Sequence, residues 1–293
     1  MLGMPPICPV CGSSDTVVSR RFISDTFGEP REFEHLACPA CTHIFVHPTP
    51  SPADLAGLYA SPRYYLLTDT ERALPDGTRD RPRWKVRQAE GILALMQKAG
   101  CRGGRLLDVG CGWGLFMERA AARGFSVAGL EPSHNVAEYV RTRLGLAVAE
   151  HGIEEAGEGS SDVITMLDVL EHVPDPKAFL ELARRALKPG GWICVNVPNS
   201  TGLTNYRVPR LLDKIRKRDN RVFLQHLSEF SRRSLLTLFR TAGFEPDSVR
   251  GDEQWRHRMD RPFPRNVVWM TLSGLGIALG MPSSWVGLAR KPV

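Results

Sequence analysis

Hydrophobic and polar positions divide the chain near residue 105. Downstream of it, short apolar runs alternate with stretches in which apolar residues return every third or fourth position, the signatures of strand and amphipathic helix. Strand patterns fall at 105–109, 126–130, 146–149, 162–167, 191–197, 244–249 and 284–290, and helical ones near 114–123, 134–144, 176–187, 231–242 and 266–279. Alternation of this kind predicts an α/β, doubly wound sheet that receives ligands at the carboxyl ends of its strands. A further helix is expected over 84–98, with Val86, Ala89, Ile92, Leu93 and Met96 on one face.

Upstream the pattern breaks into short alternating pieces such as His43-Ile44-Phe45-Val46, which suggest hairpins. This segment carries Cys8-Pro-Val-Cys11 and Cys38-Pro-Ala-Cys41, with 26 residues between the pairs. Two such knuckles can place four thiolates tetrahedrally around Zn²⁺, and the metal then supplies folding energy that a polar segment of this size lacks. Cys8, Cys11, Cys38 and Cys41 are therefore read as ligands of a closed, structural zinc ribbon over 1–50. Residues 51–100, entered through Pro48-Thr-Pro50-Ser-Pro52, are read as linker and helical lid, and 101–293 as the core. Within that core, 200–230 and 251–283 are expected to cap the substrate side.

Charge and cysteine usage narrow the class. Residues 1–60 hold three Lys or Arg against six Asp or Glu, whereas 200–293 hold 17 against eight, so the net charge of +6 belongs to the last third. That end suits an anionic small molecule or a membrane surface. The stretch 207–221, with Leu211, Leu212 and Ile215 on one stripe, suits an interfacial or phosphate-clamping helix. Seven cysteines, four of them in C-x-x-C pairs, fit a reducing cytoplasm better than a disulfide framework. No secretory signal is expected in MLGMPPICPV, and the apolar run 267–279 is shorter than the ~20 residues a bilayer span needs. Contact with the inner membrane face would then be peripheral.

"LLDVGCGWGLF" (106–116) carries the chemistry. A dinucleotide fingerprint would read G-x-G-x-x-G; here Gly110 and Gly112 fit, but position 115 is Leu. Asp108, just before the turn, is a poor neighbour for a diphosphate and a good partner for an ammonium group. The next strand ends in Glu131, 21 residues past Gly110, where an acid can accept both hydroxyls of a ribose. A ligand with a ribose and a cationic amino-acid end is S-adenosylmethionine.

"LLDVGCGWG", "GLEPS", "DVITMLDVLEHVPDP" and "LKPGGWICVNVPN" follow one another in the order of the motifs of class I S-adenosylmethionine-dependent methyltransferases, and from about residue 85 the chain resembles that family. The resemblance implies a seven-stranded Rossmann-like sheet whose last strand, 285–290, inserts antiparallel. It further implies that Asp108 holds the methionyl ammonium, backbone at Gly110 and Gly112 approaches the cofactor, and Glu131 binds the ribose. Pro132 and Ser133 would lie beside the adenine, Gly152 and Ile153 on its other face, and Met166, Leu167 and Asp168 on the methionine side. A lid tyrosine, Tyr65 among Tyr59, Tyr64 and Tyr65, would touch the cofactor. With its cysteine pairs, "HIFVHPTPS" and "LYASPRYY", the chain resembles a bacterial subgroup bearing an N-terminal zinc ribbon, associated with sugars, glycans, lipids or natural products.

Methyl transfer to a hydroxyl requires a base. His226, ahead of the expected N-cap Ser231, is the candidate. Asp168, Glu171 and His172, spaced to share one face of a helical turn, resemble the acidic cluster of ubiquinone-type O-methyltransferases and could hold Mg²⁺. The expected activity is O-methylation of a sugar, glycan or lipid-like acceptor. An RNA methyltransferase using the ribbon for recognition is the alternative, disfavoured by the acidic ribbon, since nucleic-acid readers present basic patches. A sugar C-methyltransferase is another, but its larger C-terminal domain leaves too little room in 293 residues.

Overall fold

The structure, a computed structural model, describes residues 6–60, 81–203, 222–252 and 265–293. Tyr64, Tyr65 and the basic stretch 207–221 lie outside these residues. Strands β4 (Gly104–Val109), β5 (Phe125–Leu130), β6 (Ala147–Ala149), β7 (Ser161–Leu167), β8 (Leu187–Pro198), β10 (Glu245–Asp252) and β11 (Ser284–Arg290) form a seven-stranded sheet in the order β10-β11-β8-β7-β4-β5-β6. β11 runs antiparallel to both neighbours, as the resemblance implied, while β8, β7, β4, β5 and β6 pair in parallel.

Both faces of the sheet are covered, so its central strands are apolar nearly throughout. Side chains alternate between faces with period two. Leu107, Val109, Ile164, Met166, Ile193 and Val195 pack with Leu180 of α5 (Pro176–Ala186) and with Leu235, Leu238 and Phe239 of α6 (Arg232–Thr241). Leu106, Val163 and Cys194 pack on the other side with Ile92, Leu93 and Met96 of α2 (Arg83–Lys98) and Phe116 of α3 (Leu115–Ala121). α4 (His134–Arg143) closes the β6 end through Ala137 and Val140 against Met117. The predicted N-cap is present: Ser231 Oγ accepts from the Ser234 amide, and Ser234 Oγ accepts from the Ser231 amide, a reciprocal box.

The N-terminal segment forms a second sheet, β1 (Val17–Ser24), β2 (Arg31–Ala37) and β3 (Ile44–His47), followed by α1 (Pro52–Ala60). Its fourth strand, β9 (Ser228–Glu229), comes from the far end of the chain and pairs antiparallel with β3. α7 (Arg265–Ala278) precedes β11, with Leu275, Ile277 and Leu279 exposed at its end.

Candidate active site at the carboxyl edge of the core sheet

Asp108, at the carboxyl end of β4, opens into a cavity of about 530 Å³ lined also by Gly110, Gly112, Leu167 and Asp168, by Gln88 on α2, and by His172 and His226. The volume lies within the range of small-molecule sites. Asp108 is 2% exposed, and its carboxylate accepts the Thr165 hydroxyl at 2.5 Å. Burial pushes its pKa up to about 7 against the opposing Thr165 hydrogen bond, and the nearby Glu131 charge adds to the rise. A buried carboxylate in this state is suited to a cationic partner, which would restore its ionised form.

Glu131, at the end of β5, is buried and accepts two backbone amides, Gly112 N–H and Ser133 N–H, both at 3.0 Å. Desolvation raises its pKa while those two amides oppose the rise. Each carboxylate oxygen keeps a further lone pair for another donor. Gly112 lines the cavity that Asp108 faces and is hydrogen-bonded to Glu131, while Glu131 itself is not among the residues lining that cavity.

The loop glycines have different duties. At Gly110 (φ +68) a Cβ would stand 2.7 Å from Val169 Cγ2, so the turn is closed against the segment after β7. At Gly112 (φ +50) a Cβ would meet nothing within 4 Å among the described residues. There the missing side chain leaves a bare backbone beside open space, a cradle that a ligand can approach closely.

His172 and His226 form the opposite wall, their rings edge to face with centroids 4.9 Å apart. His172 Nδ1 lies 2.8 Å from the Gln225 carbonyl, which can only accept, so Nδ1 carries the proton and Nε2 the lone pair. Burial lowers the pKa of both histidines, that of His226 to about 3, with His172 adding to the effect. Both rings are therefore neutral imidazoles near pH 7. Glu171 beside them is 1% exposed, its Oε2 has no hydrogen-bond partner among the described residues, and burial holds its carboxyl well above the usual range.

The expected helical face of Asp168, Glu171 and His172 does not form. Asp168 adopts φ +58 and its carboxylate accepts from Asn196 Nδ2 at 2.7 Å, while Leu170–His172 is a single 3₁₀ turn. The potential ligand atoms that do converge, within 4.8 Å of one another, belong to Glu171, His172 and His226. Met166 and Ile153 are packed in the core, Gly152 precedes a 3₁₀ turn and Pro132 is exposed, and none of these four borders the cavity. Tyr65 lies outside the described residues.

Lys85, Gln88, Trp113, Asn196 and Gln225 also line the cavity and were not singled out from sequence. Asn196 offered a usable signal, being a polar residue inside the apolar run "WICVNV" of a central strand. Gln225 did not, because its contribution is a backbone carbonyl.

The four cysteines also converge. Cys8 Sγ lies 3.6 Å from Cys41 Sγ, and Cys11 Sγ 3.5 Å from Cys38 Sγ. Thiolates about 2.3 Å from a tetrahedral Zn²⁺ would stand about 3.8 Å apart, so the donors need only a slight expansion. The knuckles match in backbone too: Gly12 N–H donates to the Cys8 carbonyl and Thr42 N–H to that of Cys38, both residues having positive φ. The cluster fits a zinc ribbon.

Comparison with known proteins agrees with this architecture. The family model described as a methyltransferase domain matches residues 79–249, more than half of the chain, and the protein belongs to that family. Among curated proteins it is similar to the ubiquinone biosynthesis O-methyltransferase of Pseudomonas aeruginosa (strain LESB58), 38% identical over 112 residues, 35% of this chain and 48% of the relative. The protein of that name from Idiomarina loihiensis is 41% identical over 108 residues, 34% of this chain and 44% of the relative. The chain thus spans about half the length of the curated relatives it matches. Among solved structures, the 1,6-didemethyltoxoflavin-N1-methyltransferase of Burkholderia thailandensis shares the fold with TM-score 0.55 at 18% identity, over 90% of this chain and 96% of that one. A putative sarcosine dimethylglycine methyltransferase from Galdieria sulphuraria does so with TM-score 0.54 at 17% identity, over 78% and 97%.

Proposed function

We propose that the protein is an S-adenosylmethionine-dependent methyltransferase that methylates a hydroxyl of a small-molecule acceptor. The observation that carries this is the buried carboxyl of Asp108 facing an open cavity beside the bare backbone of Gly112, which is in turn hydrogen-bonded to the buried Glu131 behind it. Asp108 would meet the ammonium group of the cofactor, and Glu131 the ribose hydroxyls. Leu167 and Asp168 would border the methionine end. When bound, the cofactor supplies an electrophilic methyl group on a sulfonium. The chain supplies alignment, exclusion of water and removal of a proton. The neutral imidazole of His226 would accept the proton that the acceptor hydroxyl gives up on methylation. His172, its tautomer fixed by Gln225, orients that ring.

O-methylation is supported by His226 on the cavity wall and by the O-methyltransferase names of the curated relatives. For the acceptor we infer a sugar, glycan or lipid-linked molecule bearing negative charge. The basic last third and the exposed Leu275, Ile277 and Leu279 support that choice and a peripheral contact with the inner membrane face from the cytoplasm. Among the described residues no helix is long and apolar enough to cross a membrane. Zn²⁺ at Cys8, Cys11, Cys38 and Cys41 would close the ribbon without an open position for catalysis. A divalent cation held by Glu171, His172 and His226 is the second reading, favoured by the orphaned Glu171 Oε2. A melting temperature raised by Mg²⁺ or Mn²⁺ in the parent but not in Glu171→Gln would support it.

The main test is calorimetric titration with S-adenosylmethionine, followed by incubation with methyl-labelled cofactor and a panel of sugar phosphates, lipid-linked glycans and total RNA. Saturable binding and label in a small acceptor are expected. Absence of binding, or label confined to RNA, would reject the reading.

A further inference from the structure

The segment 222–231, which carries Gln225 and His226 to the cavity, is folded onto the cysteine ribbon along most of its length. Val222 N–H donates to the Ile23 carbonyl at 2.9 Å, and Leu224 N–H to Thr26 Oγ1 at 2.7 Å. Val46 N–H donates to the Leu227 carbonyl at 2.9 Å, and Ser228 and Glu229 continue the ribbon sheet opposite Phe45 and Ile44. At the end of the segment Ser231 Oγ lies 2.6 Å from Thr42 Oγ1, within the second cysteine knuckle. Leu224 and Leu227, both buried, share an apolar cluster with Phe22, Phe33 and Val46 of the ribbon. His226 is therefore held between two residues whose side chains belong to the ribbon's own core.

Among the described residues the segment also meets the methyltransferase core, at Glu171 and His172 by the active site and, away from it, at Asn199 and Ser200 through Phe230, which is buried in the core. Leu227 N–H donates to the Glu171 carbonyl at 2.7 Å, His172 Nδ1–H donates to the Gln225 carbonyl at 2.8 Å, and Ser200 N–H donates to the Phe230 carbonyl. The cofactor cradle stands apart. Among the described residues, Asp108, Gly110, Gly112 and Glu131 make no hydrogen bond to the ribbon; beyond the strand ladders their partners are Thr165, Leu130, Ala149, Ser133, Cys111 and one another. Thr42 adds an independent observation. It holds φ +64, a conformation rare for a β-branched residue, at the position where the first knuckle has Gly12. The hydroxyl that glycine lacks makes the contact with Ser231.

We propose that the cysteine ribbon is a positioning element of the acceptor side of the active site: the ribbon, closed by its four thiols, fixes the place of His226 and leaves cofactor binding alone. Thr26 is the positioning residue, since its hydroxyl fixes the backbone two residues before His226. The functional consequence rests on the assignment of His226 as the acceptor-side base; the structural coupling does not.

The experiment is amide hydrogen exchange on the full chain, as purified with metal and after removal of Zn²⁺ by a high-affinity chelator, which leaves the thiol of Cys111 in the cofactor loop unmodified. Exchange in peptides spanning 222–231 should quicken at least tenfold together with that of the ribbon. Exchange across 106–131 and the calorimetric Kd for S-adenosylmethionine should stay within twofold. Because metal removal unfolds the ribbon, Thr26→Val gives a gentler comparison: with Zn²⁺ retained, 222–226 should exchange faster and kcat fall at least fivefold at unchanged cofactor Kd. Thr26→Ser should restore both. Continued protection of 222–231 while the ribbon exchanges, or Thr26→Val indistinguishable from the parent, would overturn the proposal. If no acceptor turns over, the methyltransferase reading fails while the exchange result still decides the coupling.

Discussion

The imidazoles of His172 and His226 cross edge to face with centroids 4.9 Å apart, and the Gln225 carbonyl fixes the proton of the former on Nδ1. Neither ring is charged near neutrality, because burial lowers both pKa values, that of His226 to about 3. A group with so low a pKa stays unprotonated far below the usual histidine range of about 6.5, and in this ligand-free state it is a correspondingly weak proton acceptor. His226→Ala is expected to slow turnover about a hundredfold while leaving cofactor affinity unchanged. With S-adenosylmethionine saturating, so that its ammonium holds Asp108 ionised, the kcat/KM profile for the acceptor should show no acid limb near pH 6.5. An undiminished rate in the variant, or a limb at that pH, would contradict the assignment.

Asp108 makes the ligand-free protein sensitive to pH in the opposite direction. Its pKa rises from an ordinary carboxylate value in the unfolded chain to about 7 in the fold, so between those values the native state binds more protons. The group's contribution to stability is full below its unfolded pKa and is lost as pH rises through 7. Asp108→Asn keeps an acceptor for Thr165 and abolishes the buried charge. The ligand-free variant should be more stable than the parent at pH 8, by about 1–3 kcal/mol, with the gap closing at pH 5. Its affinity for S-adenosylmethionine should fall at least tenfold. Equal denaturant midpoints at pH 8 would show that Asp108 is not desolvated.

Much of this arrangement was legible in sequence because it is local. The seven strands follow from apolar runs, Gly110 and Gly112 from their place between β4 and α3, and the Ser231 cap from its position before an amphipathic stretch. The four thiols were legible because C-x-x-C spacing fixes each half of the cluster by itself. What escaped the sequence depends on partners far along the chain. Ser228 meets Phe45, Gln225 meets His172 and Asn196 meets Asp168 only after the sheets assemble. The expected helical face of Asp168, Glu171 and His172 does not form, because Asp168 holds a left-handed conformation that no helix accommodates, with its carboxylate bonded to Asn196 across the β7–β8 pair.

Glu131 tests the ribose assignment. Its two amide hydrogen bonds tie it to Gly112 and Ser133, so truncation removes both a ligand contact and a support for the loop. Glu131→Ala should weaken cofactor binding at least tenfold. Glu131→Gln keeps one acceptor oxygen and should bind with intermediate affinity. Calorimetry on the three proteins reads the order directly, and affinities independent of position 131 would remove the ribose from this site.

Gly110 separates backbone conformation from packing. A methyl group there meets Val169 Cγ2 at 2.7 Å and also sits on a residue with φ +68. Left-handed backbone costs a non-glycine residue about 1 kcal/mol, and overpacking about 1–3 kcal/mol more. Gly110→Ala should therefore lower stability by about 2–4 kcal/mol, a loss readable as a shift in denaturant midpoint. Val169→Ala removes the clashing methyl groups, so adding it to Gly110→Ala should recover the packing part while the conformational part remains. The two substitutions are then non-additive, with the double variant more stable than the sum of the singles predicts. Strict additivity would mean that the loop moves away from Val169 without resistance, and that closure of the glycine turn against the β7 segment contributes nothing to holding the cradle.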